Sequence, residues 1–338
     1  MVLKICRGVR MFRYSCIYIN RSCPRRCDYC REREAPLKIG RELTILEWKE
    51  VIRKLDDLGV VFNLFLGNDA LLLGNNFLEL VKFLKGRTDY AFYTTFKPEI
   101  FEPLKNGIAK SGIYNLSAGI DFLSGDNELG IKGKDGTAGL LWAKKQGIPD
   151  LQATLTLHKK NIDTCEEVVK FFSQRGIWNE INVVHWDLDG GFDFFPERME
   201  EYALEDNLKL RKLVKKLVNG MRSKEYLIHS PPEYLLGLPQ YGVNQSWHCR
   251  DTKIITIDAD GTLRTCGYRP GKLLSEYTIF DLGNKISLEK YKELWKKDSQ
   301  VCPGCYWAYT WFVEEFYNKY GAEVSDKVLQ EHYYDYIT

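Results

Sequence analysis

An α/β fold is predicted, a partial (β/α)6 TIM-like barrel followed by a small β-hairpin and helix rich in cysteine. Three observations carry this expectation. From about residue 14 to 222 short apolar runs alternate six times with longer segments of helical period, the pattern of βα units on a parallel sheet. After about residue 223 the pattern stops, and IITIDADGTLRTC sets two short apolar runs about Asp260-Gly261, a hairpin signal because such a turn requires positive φ. Finally, 44% hydrophobic and 28% charged residues in a 338-residue chain suit a packed globular protein large enough for a barrel plus an appendage.

The expected strands are YSCIYI (14–19), VFNLFL (61–66), YAFYTT (90–95), IYNLSAGI (113–120), LQATLTL (151–157) and EINVVH (180–185). Helices fill the intervals. Thr44 followed by Glu47 forms a capping-box pattern before ILEWKEVIRKL, and Asp163 with Glu166 repeats it more weakly. Right-handed crossovers close such units into part of a barrel, with chemistry on the loops after the strands. SPPEYLLGLPQYG (230–242), rich in Pro and Gly, is expected as a linker. The division expected is therefore a barrel over 1–222, a linker over 223–248 and a cysteine-bearing unit over 249–338.

Lys plus Arg total 48 against 46 Asp plus Glu, so no overall charge draws the chain to nucleic acid or anionic lipid. Neither a signal peptide nor an apolar run long enough to span a membrane is present, and a cytoplasmic enzyme is expected. Ten cysteines without a secretion signal favour metal or redox chemistry over disulfides.

Cys23, Cys27 and Cys30 stand at x3 and x2 spacings in CPRRCDYC. Thiolates are preferred ligands of iron-sulfur clusters, and a short loop can bring three of them to three irons, leaving a fourth iron open. A structural zinc site wants four ligands, and no fourth is evident near this loop. Cys249, Cys266, Cys302 and Cys305 form a C-x16-C pair and a distant C-x2-C pair. Spacing alone leaves both a closed iron-sulfur site and a zinc ribbon open for these. Cys6, Cys16 and Cys165 are scattered.

With CPRRCDYC, and with aromatic Tyr29 before its last cysteine, the chain resembles the radical S-adenosylmethionine superfamily and its CxxxCxxC motif. The resemblance implies a [4Fe-4S] cluster whose open iron is chelated by the methionyl amino and carboxylate groups of S-adenosyl-L-methionine, with Tyr29 near the adenine. It implies that FLGNDALLLG is a degenerate form of the family's GGEP turn, in which Gly67, Asn68 and Asp69 meet the methionyl amino group. Ser117 and Lys132, with Lys134 as the alternative to the latter, stand where members contact the cosubstrate carboxylate. Thr154, Thr156 and Asn161 are implied neighbours of ribose or adenine.

CRDTKIITIDADGTLRTC has the C-x11-G-x4-C form of the SPASM and Twitch extensions of that superfamily. Since CPGC is the last cysteine pair, a Twitch-like unit with one auxiliary [4Fe-4S] cluster is implied. The expected chemistry is reductive cleavage of the cosubstrate to a 5′-deoxyadenosyl radical and hydrogen abstraction from a substrate. A ribosomally made peptide, cross-linked, oxidised or epimerised, is the leading substrate. A sugar or cyclitol dehydrogenase or epimerase is the second, kept open by a stretch before the first strand too short for a leader-peptide domain. A non-catalytic protein with zinc sites is a third reading.

Ten Lys and Arg within residues 1–38 against Asp28, Glu32 and Glu34 could attract a flavodoxin- or ferredoxin-type electron donor, or simply form a solvated face. YWAYTWFVEEFYNKY places aromatic residues at helical spacing, expected as helix packing. Cys16, in the first strand, is a candidate hydrogen-atom donor to a product radical, or a small buried hydrophobe.

Overall fold

The computed structural model describes residues 12–30, 40–66, 68–185, 199–251, 253–267, 273–319 and 321. Six strands and their helices follow the predicted alternation. The first half comprises β1 (Tyr14–Ile17), α1 (Ile45–Leu58), β2 (Phe62–Phe65), α2 (Asn75–Leu84), β3 (Asp89–Thr94) and α3 (Pro98–Ser111). Then come β4 (Asn115–Gly119), α4 (Glu128–Lys145), β5 (Asp150–Leu157), α5 (Cys165–Ser173), β6 (Trp178–Val183), α6 (Met199–Tyr202) and α7 (Leu208–Arg222). Beyond these lie α8 (Pro232–Gly237), the hairpin β7 (Ile254–Ile257) and β8 (Leu263–Arg264), α9 (Leu288–Ser299) and α10 (Ala308–Trp311).

The eight strands form one sheet in the order β6-β5-β4-β3-β2-β1-β7-β8. All neighbours are parallel except β7 and β8. The hairpin turns at Gly261, whose φ of 86° suits glycine. It does not stand apart from the barrel sheet: β7 pairs in parallel with β1, from Tyr14 against Ile254 to Ile17 against Ile257.

Local chemistry fixes the helices. Thr44 caps α1 as its spacing predicts, its backbone N–H donating to Glu47 Oε2 at 2.8 Å while its hydroxyl accepts from Glu47 N at 3.4 Å. Trp48, Val51, Ile52 and Leu55 then bury one face, each adding about 1.5–3 kcal/mol of transfer free energy. The second predicted cap does not form. Thr164 stands at the start of α5 without a side-chain cap bond. Asp163 pairs with Lys209 at 2.5 Å and Glu166 with Lys216 at 2.7 Å, because α7 brings cations that outcompete backbone N–H groups for these carboxylates. GIKGKDGT lies within α4. A Cβ on Gly133 would overlap the Phe122 carbonyl, and one on Gly139 the Phe96 ring, so these glycines let α4 lie directly against the exits of β4 and β3. The 230–242 stretch is helical: Pro232 occupies the first turn of α8 and Tyr234, Leu235 and Leu238 are buried, since proline's fixed φ favours a helix start.

Three apolar clusters result among the described residues, the smallest of Cys27, Leu129, Val184 and Tyr202 and two that are larger. One fills the space between sheet and helices and includes Ile17, Phe65, Phe92, Leu155 and Ile181. The other plugs the barrel interior with Tyr14, Cys16, Leu64, Ala91, Tyr309, Phe312 and Val313. Among the described residues no helix is long and apolar enough to cross a membrane.

Candidate active site

The CPRRCDYC loop leaves the C-terminal end of β1 with Cys27 buried and Cys23 and Cys30 half-buried. Cys30 N donates to Cys27 O at 3.0 Å, which folds the last two cysteines into one turn. Arg25 pins the loop to α4: its buried guanidinium pairs with Asp135 and lies 3.5 Å from Glu128. Arg21 Nε donates to Asp258 Oδ1 at 2.6 Å, tying the same loop to the hairpin. Burial pushes the Cys23 thiol up to about 11, with Cys27 and Asp69 adding to the shift. Burial also raises Cys27, which the Lys132 ammonium partly offsets.

That ammonium belongs to a buried network. Lys132 pairs with Asp121, the Tyr29 hydroxyl donates to Asp121 Oδ2 at 2.8 Å, and Thr156 N donates to Asp121 Oδ1 at 3.3 Å. Burial acts against the charged ammonium, but Asp121 and Tyr29 hold the Lys132 pKa well above its ordinary value. Asn161 serves the turn after β5, donating to Thr156 O at 2.9 Å and accepting from His158 N at 2.8 Å. His158 is buried among Tyr29, Phe122 and Tyr202, and burial lowers its pKa to about 4.

A cavity of about 250 Å³ opens beneath the loop, lined by Tyr29, Cys30, Asn68 and Thr156 toward the mouth and by Tyr93, Glu180 and Trp307 deeper in. Of the sequence-predicted cosubstrate contacts, Tyr29, Asn68, Thr154 and Thr156 therefore share one wall system, and the buried amide nitrogen of Asn68 has no protein partner. Asp69 does not face the cavity. Its carboxylate accepts from Leu71 N at 3.0 Å, Thr95 N at 3.0 Å and Thr95 Oγ1 at 2.6 Å, clamping the β2 and β3 exits together. Ser117 is buried with an unpartnered hydroxyl beside Tyr93 and Gln152 in register. Cys16 lies in the apolar plug. Gly67 falls outside the described residues.

The sequence reading missed Asp121, Glu180 and the cavity-lining role of Trp307. A signal existed for Glu180: WNEINV (178–183) alternates, so Glu180 and Asn182 share a face, and that face meets the barrel interior.

Cys249, Cys266, Cys302 and Cys305 converge on a second cavity of about 60 Å³, walled by Trp247, Trp295 and Trp307. Cys305 N donates to Trp247 O at 2.9 Å, and Cys302 N to Ser299 O at 3.1 Å, just beyond α9. Gly304 bends the CPGC turn with φ 105°, and a Cβ there would collide with Gln245 O. Burial, then the neighbouring thiols and Glu314, push Cys249 well above its ordinary pKa. Among the described residues no group of three or more His, Cys, Asp and Glu could hold a single metal ion. Four thiols lining one volume are soft donors of the kind that hold iron-sulfur or zinc groups. Trp307 lines both cavities and is their common wall.

No protein-family profile matches the chain, and no curated protein matches it in sequence. Solved structures do match in fold. SuiB from Streptococcus suis, bound to S-adenosylmethionine, aligns at TM-score 0.53 and 16% identity over 76% of this chain and 61% of its own. The same protein bound to precursor peptide SuiA aligns at TM-score 0.54 and 15% identity, over 76% and 60%. Native anSMEcpe with bound AdoMet and Cp18Cys peptide aligns at TM-score 0.55 and 13% identity, over 86% and 84%. The chain thus spans about three-fifths of the length of SuiB and most of that of anSMEcpe. Its α/β partial-barrel fold is the one these proteins share.

Proposed function

We propose, from this shared fold, that the chain is a radical S-adenosylmethionine enzyme in which Cys23, Cys27 and Cys30 hold a [4Fe-4S] cluster with one open iron. The observation that carries it is the placement of these thiols on the loop after β1, above a cavity that Cys30 and Tyr29 line. A cluster held by Cys23, Cys27 and Cys30 would supply the electron for cleavage of the cosubstrate to methionine and a 5′-deoxyadenosyl radical. Tyr29, fixed by its bond to Asp121, orients the mouth of the cavity. The unpartnered Asn68 amide offers a donor for a carboxylate or hydroxyl of the cosubstrate. Ser117 offers a hydroxyl on the interior side of β4, and Lys132 contributes positive charge beneath the loop while remaining paired to Asp121. The apolar plug keeps water from the far end of the chamber.

Residues from 249 onward serve in this proposal as a Twitch-like unit, where Cys249, Cys266, Cys302 and Cys305 hold an auxiliary [4Fe-4S] cluster. Hydrogen abstraction then leads to modification of a peptide, a reading supported by the peptides bound to SuiB and anSMEcpe. A flavodoxin- or ferredoxin-type protein supplies the electron. Protein purified and reconstituted without oxygen should hold about eight irons per chain, absorb broadly near about 400 nm and release 5′-deoxyadenosine on reduction. Stoichiometric zinc with no such release would overturn the proposal.

A further inference from the structure

The barrel interior is layered by strand register. Thr156 stands opposite Asn182, and one layer deeper Thr154 stands opposite Glu180. Among the cavity-lining residues Glu180 is the one carboxylate, and none is Lys or Arg. Glu180 is buried, and its Oε2 accepts from Tyr93 OH at 2.5 Å, Gln152 Nε2 at 2.8 Å and Thr154 Oγ1 at 3.2 Å. All three donors are neutral, and among the described residues no ion pair of Glu180 with a cation is formed. The cavity that Glu180 lines also has the rings of Tyr93 and Trp307, aliphatic Leu64 and Val183, and polar Asn182 and His185 in its wall, while the ring of Tyr18 is already covered by the Arg21 and Arg264 guanidinium groups.

A buried carboxylate held by neutral dipoles is retained at a cost that an arriving cation would offset. The rings of Tyr93 and Trp307 in the same wall favour the same sign of ligand.

We propose that Glu180 is the specificity-determining residue of the chamber and binds a primary ammonium or guanidinium of the substrate, so that the modified residue is lysine-like or arginine-like. The proposal rests on the radical S-adenosylmethionine reading for the identity of the chamber, but its test reads binding rather than turnover, so the two can fail separately. The cosubstrate is also cationic, and it occupies the layer nearer Tyr29 in that reading.

Calorimetric titration of the oxygen-free holoprotein, saturated with S-adenosylmethionine, would compare Nα-acetyl-lysine amide, Nα-acetyl-arginine amide and the neutral Nα-acetyl-norleucine amide. A cationic probe should bind at least tenfold more tightly than the norleucine probe. Glu180→Gln should remove that preference while changing affinity for S-adenosylmethionine less than twofold. Equal binding of all three probes, no binding of any, or a preference that survives in Glu180→Gln would overturn the assignment. A parallel loss of cosubstrate affinity would overturn it too, since Glu180 would then serve the cosubstrate. The wild-type comparison stands even if Glu180→Gln misfolds, and Tyr93→Phe, which leaves the carboxylate with one donor fewer, should keep the cationic preference.

Discussion

The two cysteine groups differ in number of thiols and in enclosure. Cys23, Cys27 and Cys30 sit in one short loop at the barrel mouth, two of them half-buried and one lining the larger cavity. Cys249, Cys266, Cys302 and Cys305 come from three separate segments and close on a smaller space walled by three tryptophans. In the proposed function the contrast teaches how one chain would build a reactive site and a closed one from the same side chain: a loop short of one ligand would leave room for a reactant, whereas four ligands with bulky walls would leave none.

The sharpest way to break this comparison is to remove each group in turn. Cys23→Ala with Cys27→Ala and Cys30→Ala should reduce 5′-deoxyadenosine release to background and cut iron from about eight to about four per chain, read by chromatography and iron assay. Unchanged release from that variant would end the proposed function. Cys302→Ser with Cys305→Ser should lose a similar amount of iron yet retain cosubstrate cleavage of the same order when no substrate is present. Equal loss of cleavage in both variants would erase the distinction between the groups.

Smaller effects test what supports the first loop. Asp121→Asn leaves Lys132 buried without its counter-charge, and urea unfolding should show a loss of about 3–5 kcal/mol; a loss below about 1 kcal/mol would mean that the network adds little. His158 gives the smallest effect. Its folded pKa of about 4 lies below the ordinary 6.5, so the unfolded chain binds the proton more readily. Stability from this group is full above about 6.5 and is lost as pH falls toward about 4. Unfolding midpoints measured across that range should decline in the wild type, and His158→Phe should flatten the decline.

Much of the barrel was legible because each strand and helix carries its own period. YSCIYI, YAFYTT and LQATLTL announced β1, β3 and β5 to within two residues at each end, and the Asp260-Gly261 turn announced the hairpin. The cysteine groups were legible from spacing alone. Pairings across the fold were not. Nothing local in IITI says that it lies in register beside β1, and the Pro and Gly of SPPEYLLGLPQYG look like a linker until Tyr234 finds Tyr306, with ring centroids 4.6 Å apart. Asp69 was expected at the cosubstrate because its turn resembles a known motif, yet the side-chain direction is set by Thr95 on the next strand exit. Lys132 was expected at the cosubstrate carboxylate, but its pairing with Asp121 was not foreseen, since an ion pair formed over a β-strand exit and a helix leaves no mark in spacing.

The seating of β7 beside β1 bears on how the chain is made. Tyr14 waits for Ile254, so at roughly 5–20 residues per second the emerging polypeptide carries an unsatisfied strand edge for some tens of seconds. Arg21 likewise meets Asp258 only after the hairpin leaves the ribosome. Of the loop's anchors, those from Arg25 and Tyr29 reach residues up to 135, and the one from Arg21 is added only when the chain is nearly finished.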